Sequence, residues 1–367
     1  MVRVLELINS IESTSIPYEL SIQIAEKTDA EVVVASFYDN SVTDVECIED
    51  TTDLPIEIKT LDATSRFDRS AWKKFRKELQ RDYDLLHTHH NFSGSVARLI
   101  AALEDIPSVN TEHRDHQSYS LLQNIVNAPT LPLAERIISN SHVTQNSFQW
   151  YERLLLDHEQ LQVVHNGVDL EHINRVVGNP PNDNTDEAFR VCTVGRMIPV
   201  KNQSTLIQAF PSIIDQYPQS ELILIGDGPL RSELESTARS LGISDRVQFT
   251  GTVSRSDVYD YFGNCDVFVI PSLAEGFCVA AVEAMAAGLP VVASDIPVFH
   301  EVIGEPGLFV NPDDPDAFAN KLESLLRNVS YREEKGEACR RRAHRKFSLD
   351  DVAKDYYEIY KSVCNYD

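Results

Sequence analysis

The segment 266–297 limits the possible folds of this chain more than any other part of the sequence. Residues 266–270 and 289–293 are apolar runs of strand length. Residues 279–287, between these runs, are rich in Ala, Val and Met, and Gly288 follows them, which predicts a helix that ends there. A strand, a loop, a helix and a second strand in this order predict a parallel βαβ unit. The loop at the carboxyl end of the first strand is where open parallel sheets bind ligands.

This loop carries groups suited to a phosphorylated sugar. Glu275 precedes Gly276, a residue that allows a ligand to approach the backbone closely. Backbone N–H groups at a helix N-terminus lack intrahelical partners and favour phosphate. Three such amides are expected here, those of Phe277, Cys278 and Val279. Glu283 follows Glu275 by eight residues and lies about one turn into the predicted helix, so one carboxylate can meet a sugar and the other a ribose.

Residues 275–294 resemble the E-x7-E signature of retaining glycosyltransferases with the GT-B architecture, of the family 4 type. The resemblance runs through consecutive positions, E-G-F-C-V-A-A-V-E-A-M-A-A-G-L-P-V-V-A-S. The family usually has Gly where this chain has Cys278, but Cys is small and keeps its backbone N–H, so we expect binding to be preserved. The resemblance implies two Rossmann-like parallel-sheet domains facing each other across a cleft. It also implies a nucleotide-diphosphate sugar as donor.

The whole chain alternates short apolar runs with helical patterns, which predicts doubly wound α/β domains. The predicted strands are 2–8, 31–37, 84–88, 108–111, 136–139, 161–165, 189–194, 221–225, 246–250, 266–270 and 289–293. The predicted helices are 17–28, 68–81, 93–104, 117–127, 142–156, 201–216, 229–241, 255–262, 279–287, 315–328, 331–346 and 350–364.

The division between the domains is expected near residue 166. Residues 166–169, Asn-Gly-Val-Asp, look like the hinge segment of the family, and the polar loop 178–186 is the best linker by composition. We therefore predict an acceptor-side domain over 1–165 and a donor-binding domain over 166–347. The resemblance implies that the last helix, within 348–367, returns to the first domain.

The segment after the first strand of the second domain carries two cations. It resembles the G-R-x4-K segment of the family, with Gly195 ending the strand. Arg196 can bind two phosphate oxygens at once, and Lys201 adds a mobile point charge. Together they would hold the diphosphate and stabilise it as it leaves. The alternative is a pair of solvated charges at a helix start.

Two further turns in this domain resemble family elements near the nucleotide. Gly228 belongs to I-G-D-G-P-L-R, and Val253 to F-T-G-T-V, whose backbone meets the base in the family. The G-x-G of the first turn lacks a third glycine, so it is weak support for a dinucleotide site. A tight turn with no ligand explains Gly228 equally well.

Histidines end two neighbouring strands of the first domain. His87 and His89 share one face of a strand, and His113 follows the next apolar strand. Three histidines can bind a metal, but the sequence shows no spaced carboxylate or Cys to complete the set. The resemblance places His87 and His89 on the acceptor side and His113 against the donor sugar. We expect no metal, because D-x-D occurs only at 82–84 and 314–316, away from the diphosphate segment.

The first loop departs from the family pattern. Family members usually have a Gly-Gly loop after the first strand, whereas residues 9–17 contain no glycine. A serine hydroxyl, such as that of Ser10, could replace the backbone contact, or the acceptor side could differ.

The net charge of the chain bears on which partners it can bind. The net charge of −24 argues against nucleic acid as a partner. Only 11 of the 33 basic residues are Lys, and such a surface suits a very salty cytosol, where ions screen the repulsion. An ordinary acidic enzyme is the alternative, and a KCl titration of folding and activity separates them. Full stability in dilute buffer would contradict salt adaptation.

Residues 66–81 are an exception to this acidity, with seven basic and two acidic residues. Trp72, Phe75 and Leu79 share one helical face, which predicts packing on the sheet. The alternative is contact with anionic lipid or a lipid-phosphate acceptor.

The first ten residues read as a strand, not as a signal peptide, and no run of about 18 apolar residues is present. We therefore expect a cytoplasmic protein, at the inner face of a membrane if 66–81 touches lipid.

The six cysteines form no C-x-x-C pair, so we expect neither a disulfide nor a zinc site.

The predicted function is transfer of a sugar to a hydroxyl of a glycan or lipid-linked saccharide, without a cofactor. Two alternatives remain at this point. A nucleotide-sugar epimerase on the same fold would convert the donor alone, and a non-catalytic protein would bind the nucleotide sugar without turnover.

Overall fold

The computed structural model describes residues 1–11, 15–39, 54–116, 119–178 and 188–365. The chain divides into two compact units. Unit 1 comprises Met1–Gly167 together with Leu349–Asp367, and unit 2 comprises Val168–Ser348. The division lies two residues beyond the predicted boundary at residue 165, and the last helix of the chain belongs to unit 1.

Unit 1 contains a seven-stranded sheet with the order β3-β2-β1-β4-β5-β6-β7. All its strand pairs are parallel. The strands are β1 (Arg3–Ile8), β2 (Glu31–Ser36), β3 (Glu57–Thr60), β4 (Leu85–Thr88), β5 (Ser108–Glu112), β6 (Arg136–Ser139) and β7 (Leu161–Val163). The helices are α1 (Ile16–Lys27), α2 (Arg69–Leu79), α3 (Asn91–Leu103), α4 (Leu121–Asn127), α5 (His142–Asn146), α6 (Trp150–Arg153) and α15 (Leu349–Cys364).

Helices cover both faces of this sheet. Successive side chains of a strand point to opposite faces, so Val4 and Leu5 of β1 enter different cores. Val4 packs with α1 and with Tyr356 and Tyr360 of α15. Leu5 packs with Phe75 of α2 and with residues of α3. The return of α15 therefore completes the core on one face of this sheet.

Unit 2 contains a six-stranded parallel sheet with the order β10-β9-β8-β11-β12-β13. The strands are β8 (Arg190–Val194), β9 (Glu221–Ile225), β10 (Val247–Gly251), β11 (Val267–Ile270), β12 (Val291–Ser294) and β13 (Leu308–Val310). The helices are α7 (Leu170–Val177), α8 (Gln203–Gln216), α9 (Arg231–Ser240), α10 (Arg255–Gly263), α11 (Val279–Ala286), α12 (Pro297–Val302), α13 (Pro315–Arg327) and α14 (Val329–Lys346).

The predicted α/β alternation is confirmed, with ends of the eleven predicted strands displaced by no more than two residues. The strands β3 and β13 and the helices α7 and α12 were not predicted. These elements are short, and β3 lies at the sheet edge with no buried residue, so none of them leaves a long apolar pattern. The predicted linker 178–186 lies outside the described residues except for Gly178, which ends α7.

The prediction of one helix over 142–156 is wrong, because the chain there forms α5 and α6 instead. Two side chains of the segment serve buried His116: the Ser147 hydroxyl accepts from its backbone N–H, and the Glu152 carboxylate contacts its ring. Glu152 also accepts from the backbone of Gln149 and so caps α6. The predicted helix over 117–127 begins at Leu121, where Ser120 and Gln123 form a capping box.

The basic segment 66–81 forms α2, and its apolar face packs on the sheet as predicted. Phe75 and Leu79 are fully buried, and Trp72 packs against Phe37 with ring centroids 4.5 Å apart and the ring planes tilted by 40°. Lys73 and Lys77 are exposed. Within the described ranges, we find no helix with the length and apolar composition needed to cross a lipid bilayer.

Candidate functional site

The sheet order of unit 2 defines one point where a ligand site is expected. Strand β8 pairs with β9 on one side and with β11 on the other, so the winding of the chain reverses between β8 and β11. Loops that leave the carboxyl ends of two such strands separate and open a crevice. The loops in question are 195–202, after β8, and 271–278, after β11. They contain the predicted diphosphate segment and the first glutamate of the E-x7-E pattern.

Lys201 and Glu275 join these two loops. The Lys201 Nζ donates to Glu275 Oε1 at 2.5 Å, and the Ser272 hydroxyl donates to the same oxygen at 2.8 Å. The Leu273 N–H also donates to the Val200 carbonyl oxygen at 2.8 Å. The two side chains of the ion pair remain 21% and 11% exposed, so the pair is held in place and still reachable from solvent.

The electrostatics of this pair suit an anionic ligand. Burial lowers the pKa of Lys201, but the neighbouring Cys278 and Glu275 raise it above its ordinary value, so Lys201 is charged at neutral pH. Arg196 is exposed and forms no ion pair with any described residue. No described contact joins the Arg196 side chain to residues 275–279. Unit 2 thus offers one anchored ammonium and one unengaged guanidinium within the same segment, 195–202, after β8.

The predicted turn at Gly228 lies against the segment after β8. A Cβ on Gly228 would lie 2.5 Å from the Met197 carbonyl oxygen, a distance that backbone atoms do not tolerate. The Met197 N–H donates to the Asp227 carbonyl, and the Leu230 N–H donates to that of Met197. Close backbone packing therefore requires glycine here whether or not a ligand binds. The amide of Gly195 is fixed in the same way, because it donates to the Ile225 carbonyl.

Cys278 occupies a backbone conformation that favours glycine. Its φ of 71° and ψ of 76° lie in the left-handed region, which costs an L-residue about 1–2 kcal/mol. Burial raises the pKa of its thiol to about 12, so the sulfur is a neutral group at the start of α11. The preceding residue, Phe277, is buried and packs edge-to-face on Phe347 with ring centroids 5.6 Å apart. Val279 is the first residue of α11, and Glu275 and Gly276 precede it in the loop.

Glu283 is held by two residues that the sequence did not single out. The Arg255 guanidinium donates to Glu283 Oε1 from Nε at 2.7 Å and contacts it from Nη2 at 2.6 Å. The Tyr259 hydroxyl donates to the same oxygen at 3.0 Å. Val253 lies just before Ser254, the N-cap of α10, so this contact ties the predicted base-binding loop to α11. The only local signal is a Ser-x-x-Asp capping box that places Arg255 in the first helical turn.

Unit 1 places a different set of groups at its corresponding point, between β1 and β4. Glu6 of β1 lies opposite His87 of β4 in the register, and His89 follows the same strand. All three side chains are buried. The expectation that no carboxylate accompanies these histidines is therefore wrong. Glu6 is hidden in the sequence because it stands inside an apolar strand, 81 residues from His87.

Hydroxyl groups from two helices also contact the Glu6 carboxylate. The Tyr360 hydroxyl donates to Oε1 at 3.0 Å, and the Ser21 hydroxyl donates to Oε2. His87 Nδ1 lies 3.4 Å from Oε1, and His89 Nε2 lies 3.5 Å from Oε2. Burial alone raises the pKa of Glu6, but its contacts with His87 and His89 hold the pKa below its ordinary value. The carboxylate is therefore ionised at neutral pH.

Three of these residues could also bind a metal ion by distance alone. One ligand atom each of Glu6, His87 and His89 lie within 4.8 Å of one another. However, both Glu6 oxygens already accept hydroxyl protons, and His87 is hydrogen-bonded at Nε2 by Thr111 at 2.8 Å. Hydrogen bonds thus engage Glu6 and His87, although His89 Nε2 has no hydrogen-bond partner among the described residues. Because two of the three groups are already engaged, we assign no metal to them.

His113 joins this cluster through His89. The His89 Nδ1 and His113 Nε2 atoms are 3.2 Å apart, and the two rings stack with centroids 5.5 Å apart. The Asn140 side chain donates to the His113 carbonyl oxygen at 3.1 Å and fixes its backbone. Ser10, in the loop after β1, is half-buried and shares no described contact with these histidines. The structure thus brings His87, His89 and His113 together and leaves Ser10 apart.

The two D-x-D sequences have structural partners of their own. Asp84 accepts a hydrogen bond from the backbone N–H of Arg3 at 2.8 Å. Asp314 is the N-cap of α13 and accepts from the Ala317 N–H at 2.9 Å, as its predicted capping role requires.

Comparison with known proteins defines the class of this chain. The family model described as "Glycosyl transferases group 1" matches residues 179–343, and the model "Glycosyltransferase Family 4" matches residues 18–172. The D-inositol 3-phosphate glycosyltransferase of Corynebacterium urealyticum is 30% identical over 327 residues, which are 79% of this chain and 74% of that protein. The phosphatidyl-myo-inositol mannosyltransferase of Mycobacterium tuberculosis is 29% identical over 84% of this chain and 82% of that protein.

A shorter sequence match and a match to a solved structure agree with this assignment. An uncharacterised glycosyltransferase of Methanocaldococcus jannaschii is 33% identical over 178 residues, which span 48% of this chain and 45% of that protein. The crystal structure of Anabaena HepE in complex with UDP and glucose covers 99% of this chain and is itself covered completely. Its TM-score is 0.82 at 21% sequence identity, a likeness that shows the fold alone.

The fold class is therefore GT-B, with two Rossmann-like parallel-sheet domains. The chain belongs to the group 1, family 4 type glycosyltransferases, and it is a glycosyltransferase.

Proposed function

We propose that this protein transfers a sugar from a nucleotide-diphosphate sugar to a hydroxyl group with retention of anomeric configuration. One observation carries the proposal: the Lys201 ammonium is anchored on Glu275 at the point where the winding of unit 2 reverses. A diphosphate needs cations in a place that parallel sheets reserve for ligands. The loop that supplies Glu275 also leads into the N-terminus of α11, where backbone amides favour phosphate.

Each residue of this site has a proposed role. Lys201 and Arg196 bind the diphosphate and stabilise the negative charge that develops as it leaves. Glu275 binds hydroxyls of the donor sugar. Glu283, held by Arg255, binds the ribose. No metal is needed in this scheme, because the two side chains and the helix amides supply the positive charge.

The remaining donor-binding positions act through the backbone. We propose that Gly195 and Gly228 shape the loops around the phosphates and that Val253 meets the base. The amides of residues 276–279 face the diphosphate, with Cys278 in the place of the usual glycine.

The anomeric configuration is retained if the acceptor attacks from the face that the phosphate leaves. This geometry follows when the leaving phosphate also takes the acceptor proton. The acceptor oxygen attacks the anomeric carbon on the face from which the phosphate departs, and the bond from that carbon to the phosphate oxygen breaks. The electron pair stays on the phosphate, and the acceptor proton moves to a phosphate oxygen. A double-displacement mechanism needs a second carboxylate beside the scissile bond. The buried carboxylate of unit 1 near His113, that of Glu6, is enclosed by its own hydrogen bonds. His113 supports the sugar and its developing charge.

The acceptor is proposed to be a saccharide or lipid-linked saccharide, bound on the side of unit 1 that carries Ser10, His87 and His89. Because His87 and His89 are buried, they would act there without touching the acceptor. The names of two relatives give D-inositol 3-phosphate and phosphatidyl-myo-inositol as what they glycosylate, which supports a hydroxyl acceptor but also a cyclitol in place of a saccharide. Contact with a membrane through α2 would bring a lipid-linked acceptor close. Lys73 and Lys77 are exposed on α2 and available for anionic headgroups.

The donor is tested by thermal shift against a panel of nucleotide-diphosphate sugars, because a ligand of the native state raises the melting temperature. The stabilising donor is then incubated with glycan and lipid-linked acceptors, and the anomeric proton of the product is followed by NMR. Retained configuration is expected. Product of inverted configuration would contradict the mechanism, and conversion of the donor without an acceptor would favour an epimerase.

Membrane contact is tested separately. Charge reversal at Lys73, Lys74 and Lys77 is expected to abolish sedimentation with vesicles that contain anionic lipid. A matched triple reversal of exposed cations in unit 2, at Arg239, Arg327 and Lys346, serves as the control. Unchanged vesicle binding in the α2 variant would remove the membrane proposal.

A further inference from the structure

A path of three side chains leads from the interior of unit 1 to His113. Glu6 Oε2 lies 3.5 Å from His89 Nε2, and His89 Nδ1 lies 3.2 Å from His113 Nε2. Glu6 is fully buried and His89 nearly so, and His89 Nε2 has no other polar partner among the described residues. The two imidazole rings therefore connect a buried carboxylate with the one histidine of the path that is only half-buried.

The pKa values of the two histidines determine how many protons this path carries. Burial and the neighbouring His87 lower the pKa of His89 to about 4. Burial and the neighbouring His89 and His90 lower the pKa of His113 well below its ordinary value. Both rings are therefore neutral at neutral pH, and each carries one N–H and one lone pair.

Only two arrangements let neutral rings share a hydrogen bond. In one, His89 Nδ1–H donates to His113 Nε2, and the His89 Nε2 lone pair then faces the Glu6 carboxylate. Two acceptors would oppose each other in a buried space, which is unfavourable. In the other arrangement, His89 Nε2–H faces Glu6, and His89 Nδ1 accepts from His113 Nε2–H. The negative charge of Glu6 favours this second arrangement.

We propose that Glu6 is a positioning residue that, through His89, fixes His113 as the tautomer with its proton on Nε2 and a lone pair on Nδ1. His113 then presents a hydrogen-bond acceptor, not a donor. This deepens the proposed function and rests on it in one respect: the partner of Nδ1 would be a hydroxyl of the donor sugar, which donates its proton to the ring.

Other groups around the path do not set this tautomer. The ring of His87 lies 3.9 Å from that of His89 and approaches Glu6, but no described hydrogen bond joins His87 to His89 or His113. The Ser21 and Tyr360 hydroxyls donate to Glu6, which keeps its carboxylate in place without touching His89 or His113. Asn140 contacts only the carbonyl oxygen of His113. The choice of tautomer therefore depends on the charge of Glu6 and on the ring of His89.

The test uses long-range 1H–15N correlation NMR on the ligand-free protein labelled with 15N at histidine. The wild-type His113 spectrum is expected to show a protonated Nε2 and an unprotonated Nδ1. In Glu6→Gln, which keeps the shape but removes the charge, a mixture of the two tautomers is expected. Glu6→Asp should keep the wild-type tautomer as the dominant form, because the carboxylate remains. Ser21→Ala is the matched control, since it removes a contact to Glu6 but neither charge nor ring.

Three outcomes would overturn the proposal. The first is a wild-type His113 with its proton on Nδ1, and the second is an unchanged spectrum in a folded Glu6→Gln variant. The third is tight binding of added Zn²⁺ that is lost in Glu6→Gln, since the histidines would then be ligands. Circular dichroism checks the fold of each variant. Should Glu6→Gln fail to fold, Glu6→Asp together with His89→Gln, which breaks the path, replaces it.

Kinetics provides a second readout. If His113 accepts from the donor sugar, Glu6→Gln should lower kcat by about 10-fold, by analogy with metal-bound histidines, where loss of the partner that fixes the tautomer costs about 10- to 100-fold in activity. The NMR result needs no donor and no turnover. A protein with the expected tautomer but no transferase activity would therefore count against the proposed function and leave the positioning role of Glu6 intact.

Discussion

In unit 2 the winding of the sheet reverses between β8 and β11. The loops after these strands carry Lys201 and Glu275, whose side chains are 21% and 11% exposed. In unit 1 the corresponding strands, β1 and β4, carry Glu6 and His87, whose side chains are 0% exposed. Both sheets wind in the same way about this point. Topology therefore supplies the place for a site, but side-chain burial decides what that place can do.

The groups of unit 1 are largely occupied by one another. Glu6 accepts from Ser21 and Tyr360, and His87 is bonded by Thr111, so none of these groups is open to a large anion. The side chains of the Lys201–Glu275 ion pair of unit 2, in contrast, are partly exposed, so a phosphate oxygen can reach Lys201. The comparison supports the two proposals made above, that unit 2 binds the charged ligand and that the buried cluster of unit 1 has a positioning role.

Unit 1 contains a second buried network, around Arg98. This guanidinium is fully buried and donates to the side chains of Asn127, at 2.6 Å, and Asn110. Both amides also donate to Glu112, which in turn contacts His116. Such networks are costly to break, because every member becomes an unsatisfied buried group.

The largest expected effect tests the role of unit 2. Lys201→Ala should lower kcat by roughly 100- to 1,000-fold, the usual cost of removing a group that stabilises charge in a transition state. Stability should change little, because Glu275 keeps its bond from Ser272. Transfer kinetics and thermal melting measure the two effects. Lys354→Ala, an exposed lysine of unit 1, is the control, and near-normal turnover of Lys201→Ala would contradict the assignment.

Arg98→Met tests whether the buried network of unit 1 is structural. It should lower the free energy of unfolding by about 3 kcal/mol, as expected when one member of a buried charged network is removed. Both tryptophans, Trp72 and Trp150, lie in unit 1, so their fluorescence in denaturant reports on this unit. Arg69→Met, at an exposed position, should be neutral. Loss of donor affinity without loss of stability would place Arg98 in a binding role instead.

A pH titration tests the same unit through His116. Burial lowers the pKa of this residue, but Glu112 and Glu152 raise it from 6.5 to about 9. Because the folded pKa is higher, the stabilisation is complete below pH 6.5 and is lost as pH rises toward 9. The loss should be no more than about 3 kcal/mol. His116→Gln should remove this slope, whereas the exposed His158→Gln should keep it, and equal slopes in both variants would rule out His116 as the source.

The smallest effect concerns the backbone of the loop in unit 2. Cys278→Gly should raise the free energy of unfolding by about 1 kcal/mol, since glycine adopts a φ of 71° without strain. Cys278→Ala keeps the strain and removes the sulfur, so it is the matched comparison. Because the tryptophans report on unit 1, calorimetry is the suitable measurement. A glycine variant no more stable than the alanine variant would show that the conformation carries no cost.

The residues of unit 2 were predictable because their signals are local. Glu275, Gly276 and Glu283 lie within one strand-loop-helix segment, and Lys201 lies in a loop directly after a strand. Such loops meet at one edge of any parallel sheet, so sequence order alone brings them together. Arg255 escaped prediction because its contact with Glu283 spans 28 residues and depends on how α10 packs against α11.

The sequence by itself determined three features: the alternation of strands and helices, the family, and the acidic and basic groups of the second domain. Each of these is encoded by residues that lie close together in the sequence. Only the tertiary structure decided the polar cluster of unit 1. Glu6 meets His87 from 81 residues away and Tyr360 from 354 residues away. No local pattern encodes such contacts, because they depend on strand order in the sheet and on the return of the last helix.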